Sequence, residues 1–335
     1  MRSPLVSIII PMYNQRADFL RACIQSALSQ TYENLEIIIS NNHSTNGVEI
    51  IFTEFSDPRI KIIEPERHLG MADHFIFAAG FASGEFVTFL SSDDLLYPKC
   101  IECNITPLIS NNAISISYSE IAYINELGST TSLSRNGKLP SGIYSAKKIA
   151  SRMYNFSEYW IIGGIMRTKD FQKEKFCTDI VAGDWVLGFK LLKYGHAAYC
   201  NEVLSAIRFH KRTGTMKANY AEQFLTHYSQ SPIKHNHIIE DTELLAAVSI
   251  TKKKAIAYRN KEMLGIVSKF IQDYHQKKID QYSVKKLFVV YDIYLKGVWY
   301  KSFTRFYRSK IVLPVIFLYR VKNSIIKFLK PYDTH

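Results

Sequence analysis

The chain has 335 residues, more than one minimal core requires, which fits one large domain or two. With 47% hydrophobic and 21% charged residues it has the composition of a folded protein, which excludes a disordered or fibrous chain. The net charge of +12 is lopsided: residues 251–335 hold 19 Lys and Arg against 5 Asp and Glu, while the rest holds 23 basic and 25 acidic residues.

All the surplus positive charge is therefore C-terminal, which suggests a second unit with its own task. The N-terminal MRSPLVSIII has one arginine and an apolar run too short for an export signal. No segment reaches the roughly 18 apolar residues of a membrane span. Five scattered cysteines (Cys23, Cys100, Cys103, Cys177 and Cys200) fit reduced thiols in a cytoplasmic protein better than a disulfide framework. Cys100-x-x-Cys103 lacks a second pair or a His at ligand spacing, so it reads as two thiols on a helix.

In chain order, VSIIIPMYN is an apolar run closed by Pro11 and Asn14, which predicts a buried strand. Phe19, Leu20, Cys23, Ile24, Ala27 and Leu28 then recur at helical spacing on one face. LEIIIS predicts a second buried strand, ending in the polar loop NNHSTN. RIKIIEP is a third strand and GEFVTFLSS a fourth, with the helical MADHFIFAAGFAS between them. Alternating strands and helices imply right-handed crossovers and a mostly parallel sheet flanked by helices. Ligands of such sheets bind beyond the carboxyl ends of the strands. Tyr13–Asn14, Asn41–Asn42 and Asp93–Asp94 all fall at strand ends, so three polar clusters on one edge make a candidate site. The two adjacent acids of FLSSDDLLYP would repel, and either a metal ion or a solvated helix start accounts for them.

VSIIIPMYN, IIISNNHSTN, RHLGMADHF and GEFVTFLSSDDLLYP, in this order and spacing, resemble the family 2 inverting glycosyltransferases of GT-A fold. The resemblance covers about residues 5–215. It implies a GT-A-like catalytic domain over 1–215, with a nucleotide-sugar half to about residue 100 and an acceptor half beyond it. Residues 216–335 would form a basic helical extension. The resemblance further implies that Pro11, Tyr13, Asn41, Asn42 and Arg67 lie along the nucleotide of a nucleotide diphosphate-sugar. The family pattern after the second strand carries an acid where this chain has Asn41; an amide donates as well as accepts, so recognition of a base survives while its identity is open. The Asp-x-Asp motif is represented by SSDD, with Ser91 at its first position. Asp93 and Asp94 would hold a divalent cation, Mn2+ or Mg2+, with Asp93 also near the donor, and His210 matches a His near the metal.

The acceptor hydroxyl needs a proton acceptor. DIVAGDWVLGFKLLKYG resembles the family segment that supplies it, with Asp184 as the base at a helix start and Asp179 as the other acid. Capping the helix is the alternative role for Asp184. YWIIGGIMR resembles the acceptor loop, where Trp160 stacks on a sugar or packs in the core, and Gly164 lines the acceptor. Lys211 and Arg212 are placed to close over the diphosphate.

The function implied is transfer of one sugar, with inversion, to a glycan or lipid-linked acceptor in bacterial surface polysaccharide synthesis. The alternatives are a nucleotidyltransferase making sugar nucleotides, whose glycine-rich phosphate loop is missing from PMYNQRADF, and a non-catalytic scaffold that keeps the fold. In the tail, Trp299, Phe303 and Phe306 share one helical face, and Lys301, Arg305 and Arg308 the other. That pattern suits a helix lying on an anionic membrane at the inner face of the plasma membrane, or one packing on the catalytic domain or on a second subunit. Nucleic acid is disfavoured because no recognition motif accompanies the charge.

Overall fold

The structure, a computed structural model, describes residues 3–134, 139–156, 163–179, 183–210 and 230–275. The first apolar run forms β1 (Val6–Met12) and the second forms β2 (Leu35–Asn41), and both are buried along their whole length. Successive side chains of a strand point to opposite faces. Ile8 and Ile10 accordingly join one core cluster with Ile37 and Ile39, whereas Ile9 joins the other with Ile38. A strand covered on both faces requires unbroken apolar sequence, and that is why these runs do not alternate. β3 (Ile60–Ile63) pairs with β2 and β4 (Phe86–Phe89) pairs with β1, all parallel.

Helix α1 (Ala17–Leu28) buries Leu20, Cys23, Ile24 and Ala27 against β1 and β2, the face its spacing predicts. A 3-10 helix spans Val48–Glu54, and α2 (Met71–Ala79) covers the opposite face of the sheet through Ala78 and Ala79. His74 of α2 is buried against the Ser40 hydroxyl, 2.8 Å from its Nε2. Burial, then the neighbouring His68, pushes its pKa down to about 4, so the ring is neutral near pH 7.

After β4 the strand directions mix. β5 (Leu95–Leu96) and α3 (Cys100–Ser110) precede the long β6 (Ile114–Ile124), and β10 (His196–Arg208) runs parallel to β6. β9 (Ile165–Arg167) is inserted antiparallel between β4 and β6. β7 (Thr130–Leu133) flanks β6, while β8 (Gly142–Tyr144) and β5 flank β10, all three antiparallel. The order through the sheet is β3-β2-β1-β4-β9-β6-β10-β5. The remaining helices are α4 (Ala146–Phe156), α5 (Thr168–Glu174), α6 (Gly183–Leu191), α7 (Ser231–Ile239), α8 (Thr242–Ala247) and α9 (Lys252–His275). Residues from α4 to α8 close the core on the β9, β6 and β10 side, with Ile149, Phe171, Phe189, Ile238 and Leu244 among them.

At the amino ends of the strands a buried carboxylate stitches the sheet. Glu36 Oε1 accepts the Ser7 hydroxyl of β1 at 2.5 Å and the amides of Ser83 and Gly84 at 2.6 and 3.0 Å. Its other oxygen takes Lys61 of β3 at 2.6 Å. Burial opposes ionisation, but Lys61, Ser7 and the Ser83 amide outweigh it and hold the carboxyl below the usual range. Gly84 is required here, since a Cβ would lie 2.6 Å from the Ser7 oxygen. The Glu36 carboxylate is thus satisfied within its own chain.

Contacts divide the chain into two units, Met1–Lys217 with Ile233–Ile256, and Ala218–Pro232 with Ala257–His335. Among the described residues no helix is long and apolar enough to cross a membrane. The aromatic and basic faces expected around Trp299 lie outside the described residues.

Candidate active site

Parallel pairing places Met12 opposite Asn41 and Ile9 opposite Phe89, so the ends of β1, β2 and β4 finish on one edge. Pro11 is buried within β1, and Tyr13 just beyond it is 45% exposed. The Tyr13 ring lies 4.5 Å from the His68 ring, tilted by 57°. Asn14 then turns with a φ of 48°, a left-handed conformation that asparagine tolerates. Its side-chain oxygen accepts the Thr45 amide at 2.7 Å, which joins the loop after β1 to the loop after β2.

Asn41 and Asn42 are both buried and both hold loops together. Asn41 accepts the Ser44 amide at 3.0 Å and donates to Glu64 at 3.1 Å. Asn42 makes a two-point bond to Leu69, accepting from its amide and donating to its carbonyl, each at 2.9 Å. This fixes the segment carrying Arg67 and His68, and His68 Nδ1 sits 3.0 Å from the Asn42 carbonyl. A carboxylate could accept in these pairs but not donate, which gives the departure from an acidic pattern a structural cause. Arg67 itself is exposed.

The acidic pair sits where β4 hands over to β5. Because β5 pairs antiparallel with Ser205 and Ala206, residues 93 and 94 are drawn against the end of β10. Asp94 is 2% exposed, and its Oδ1 accepts the Arg208 amide at 2.8 Å. Arg208 Nε donates to the Asp93 carbonyl at 2.9 Å, and its Nη1 reaches the Asn125 carbonyl at 3.2 Å. The Phe19 ring lies beneath the Arg208 and Arg16 guanidinium groups, 4.5 and 3.9 Å from its centroid. Asp93 Oδ2 is 3.0 Å from His210 Nε2, and that imidazole packs on Phe19 with centroids 4.9 Å apart. His210 therefore does meet the acidic pair from 117 residues away.

Burial and the Asp93 charge push the Asp94 carboxyl well up, against the Arg208 amide and Ser91. A hydrogen bond to a charged group contributes about 1.5–3 kcal/mol, less than the several kcal/mol that burying an ion costs. The loop's own donors therefore do not offset the burial of a second charge, and without a cation the Asp94 carboxyl favours its protonated form. Cys23 lies directly below, 3.5 Å from the Ser91 carbonyl, and burial with the two acids raises its thiol as well. A cation at Asp93 and Asp94 would relieve this repulsion, and hard carboxylate oxygens beside a His suit a divalent one.

Asp184 stands in the first turn of α6 with its Oδ1 accepting the Trp185 amide at 2.8 Å. Burial raises its carboxyl, opposed by backbone amides and by Lys234. Behind it, Trp185 packs on Phe189 at 4.5 Å and edge-on to His235 at 5.3 Å, which fixes the helix start. Asp179 is exposed and bonded to His237 at 3.1 Å.

The Gly-Gly turn lies beside the end of β4: the Gly163 amide donates to the Phe89 carbonyl at 3.4 Å, and Gly164 is buried. Gly163 has a φ of +71°, and a Cβ there would lie 3.0 Å from Cys100 Sγ, so a side chain would be strained and crowded. Trp160, Lys211 and Arg212 lie outside the described residues. Arg208 escaped the sequence reading; its signal was a charge closing the apolar strand VLSAIRF two residues before His210.

The family described as Glycosyl transferase family 2 matches residues 7–174. The chain is 39% identical over 121 residues to the Escherichia coli UDP-Glc:alpha-D-GlcNAc-diphosphoundecaprenol beta-1,3-glucosyltransferase WfgD. That match covers 36% of this chain and 47% of the relative, so the chain spans about half of that protein's length. It is 32% identical over 230 residues to a Rickettsia typhi protein, the uncharacterized glycosyltransferase RT0329, covering 66% of this chain and 70% of the relative. The fold is similar to the crystal structure of S. aureus TarS 1-349 in complex with UDP-GlcNAc, with a TM-score of 0.58 at 17% identity over 87% of this chain and 92% of that one. Half of the sequence fits the family pattern, and the strands and polar loops that carry the pattern build one edge; this chain belongs to glycosyltransferase family 2.

Proposed function

We propose that the protein transfers a single sugar from a uridine diphosphate-sugar to an acceptor hydroxyl, with inversion. The observation that carries this reading is the junction of Asp93, Asp94, Arg208 and His210, an acid-rich edge beside the Tyr13 and Asn41–Asn42 loops. The relatives support the donor class, since WfgD is named for UDP-Glc and TarS was crystallised with UDP-GlcNAc.

Asp93 and Asp94 would hold a divalent cation, Mn2+ or Mg2+, with His210 at its side. When bound, that cation neutralises charge on the leaving diphosphate. The other roles belong to the chain itself. The Tyr13 ring offers a face for the base, and the exposed Arg67 lies within reach of nucleotide phosphate or base. Asp184 accepts the proton of the attacking hydroxyl as the sugar carbon inverts, and its burial keeps that carboxylate basic enough for the task. Gly164 belongs to the loop that receives the acceptor. The polyprenyl acceptor in the name of WfgD favours a lipid-linked acceptor here, with the basic residues 251–335 held to an anionic membrane.

Asp94→Asn keeps the acceptor oxygen for the Arg208 amide and removes a buried carboxyl whose ionisation its surroundings oppose. Thermal melting without metal should therefore show equal or higher stability than the parent, while Mn2+ no longer raises Tm and turnover falls at least about a hundredfold. A variant that retains turnover and the Mn2+ shift contradicts the metal assignment. Asp184→Asn should bind UDP normally yet lose at least about a hundredfold in kcat. Since the Asp184 carboxyl is raised, kcat of the parent should fall on acidification at a pH above the ordinary aspartate value of 3.8. An acid limb at or below that value, or an equal loss of UDP affinity in the variant, argues for a structural cap. The full-length chain should sediment with anionic vesicles at low salt and be released by high salt. Indifference to anionic lipid rules out the membrane role.

A further inference from the structure

Three side chains outside the proposed transfer site converge within the first unit. Cys177 and Asp179 follow α5, and His237 lies on α7, 58 residues beyond Asp179. Their sulfur, carboxylate oxygen and ring nitrogen all lie within 4.8 Å of one another. Asp179 Oδ2 and His237 Nε2 are 3.1 Å apart. Two such ligands at about 2.0–2.2 Å from one tetrahedral ion would sit roughly 3.4 Å apart, so this pair already has nearly the right spacing. A thiolate sulfur binds at about 2.3 Å, and Cys177 Sγ already lies within 4.8 Å of both other ligand atoms.

Thiolate, imidazole and carboxylate together form a borderline-soft donor set, unlike the oxygen-rich set at Asp93 and Asp94. Cys177 packs on the core cluster, while the His237 and Asp179 side chains are 29% and 57% exposed, which gives an ion a route from solvent. We propose that Cys177, Asp179 and His237 form a zinc site with its fourth position open to water. The ion ties the segment after α5 to α7. That segment also abuts the start of α6, because a Cβ on Gly183 would lie 2.6 Å from the Cys177 carbonyl. Occupancy therefore holds the segment packed against Gly183, the residue before Asp184. Burial keeps the Cys177 thiol protonated, with Lys190 opposing, and binding displaces that proton. The site stands independently of the sugar-transfer reading.

The test titrates the full-length protein, stripped of metal by a chelator, with Co2+ alone. Cobalt bound through a thiolate gives a sulfur-to-metal charge-transfer band. The band should saturate near one equivalent and disappear when Zn2+ is added. Cys177→Ser should abolish it, and His237→Gln, a half-buried change that leaves the core intact, should weaken Co2+ binding at least about tenfold. Asp93→Asn should leave the band unchanged, which separates this site from the acidic loop. No charge-transfer band in the parent protein, a band that survives Cys177→Ser, or unweakened binding in His237→Gln overturns the proposal, leaving Asp179 and His237 as a surface ion pair beside an uninvolved thiol.

Discussion

Two adjacent carboxylates are held at a strand end where one of them has almost no water, and the rest of the site is arranged around that strain. Asp94 is buried with the Arg208 amide on its oxygen, and Asp93 is bound through its carbonyl to the Arg208 side chain and through its carboxylate to His210. These contacts weld the acidic loop to the last strand. They also set the loop's charge balance, because an amide bond offsets less than burial costs. A loop built this way is tied to β10 by its own hydrogen bonds, and the proposed cation would bind where the two carboxylates meet.

The sheet divides its labour between its two ends. At the amino ends, Glu36 is satisfied by Ser7, Lys61 and two backbone amides. At the carboxyl ends, Tyr13 presents an exposed ring, and Asp93 with Asp94 a pair of carboxyls of which the buried one resists ionisation. The asparagines lie between these extremes. Asn42 spends its amide on Leu69 and so shapes the wall of the site, and Asn41 does the same for Glu64 and Ser44.

The parallel half of the sheet was legible in the sequence because its signals are local. VSIIIPM and LEIIISN are continuous apolar runs, and the helical face of α1 follows from spacing alone. The acidic pair was legible for the same reason, as charge at the end of an apolar strand. Arg208 was not, since an arginine closing a strand looks like any surface residue until pairing brings β5 to β10. The three-residue β9 was hidden too: so short a strand has no period, and its place between β4 and β6 comes from tertiary pairing. Cys177 and His237 sit too far apart along the chain for any spacing rule to join them.

The central claim is that the edge built by β1, β2, β4 and β10 binds a nucleoside diphosphate together with a divalent cation. Calorimetric titration of UDP into the full-length protein, with and without Mn2+, tests it most directly. The account predicts binding that weakens at least about tenfold when Mn2+ is withheld, and the same weakening with Mn2+ present in Asp93→Asn. UDP affinity indifferent both to Mn2+ and to Asp93→Asn would contradict it.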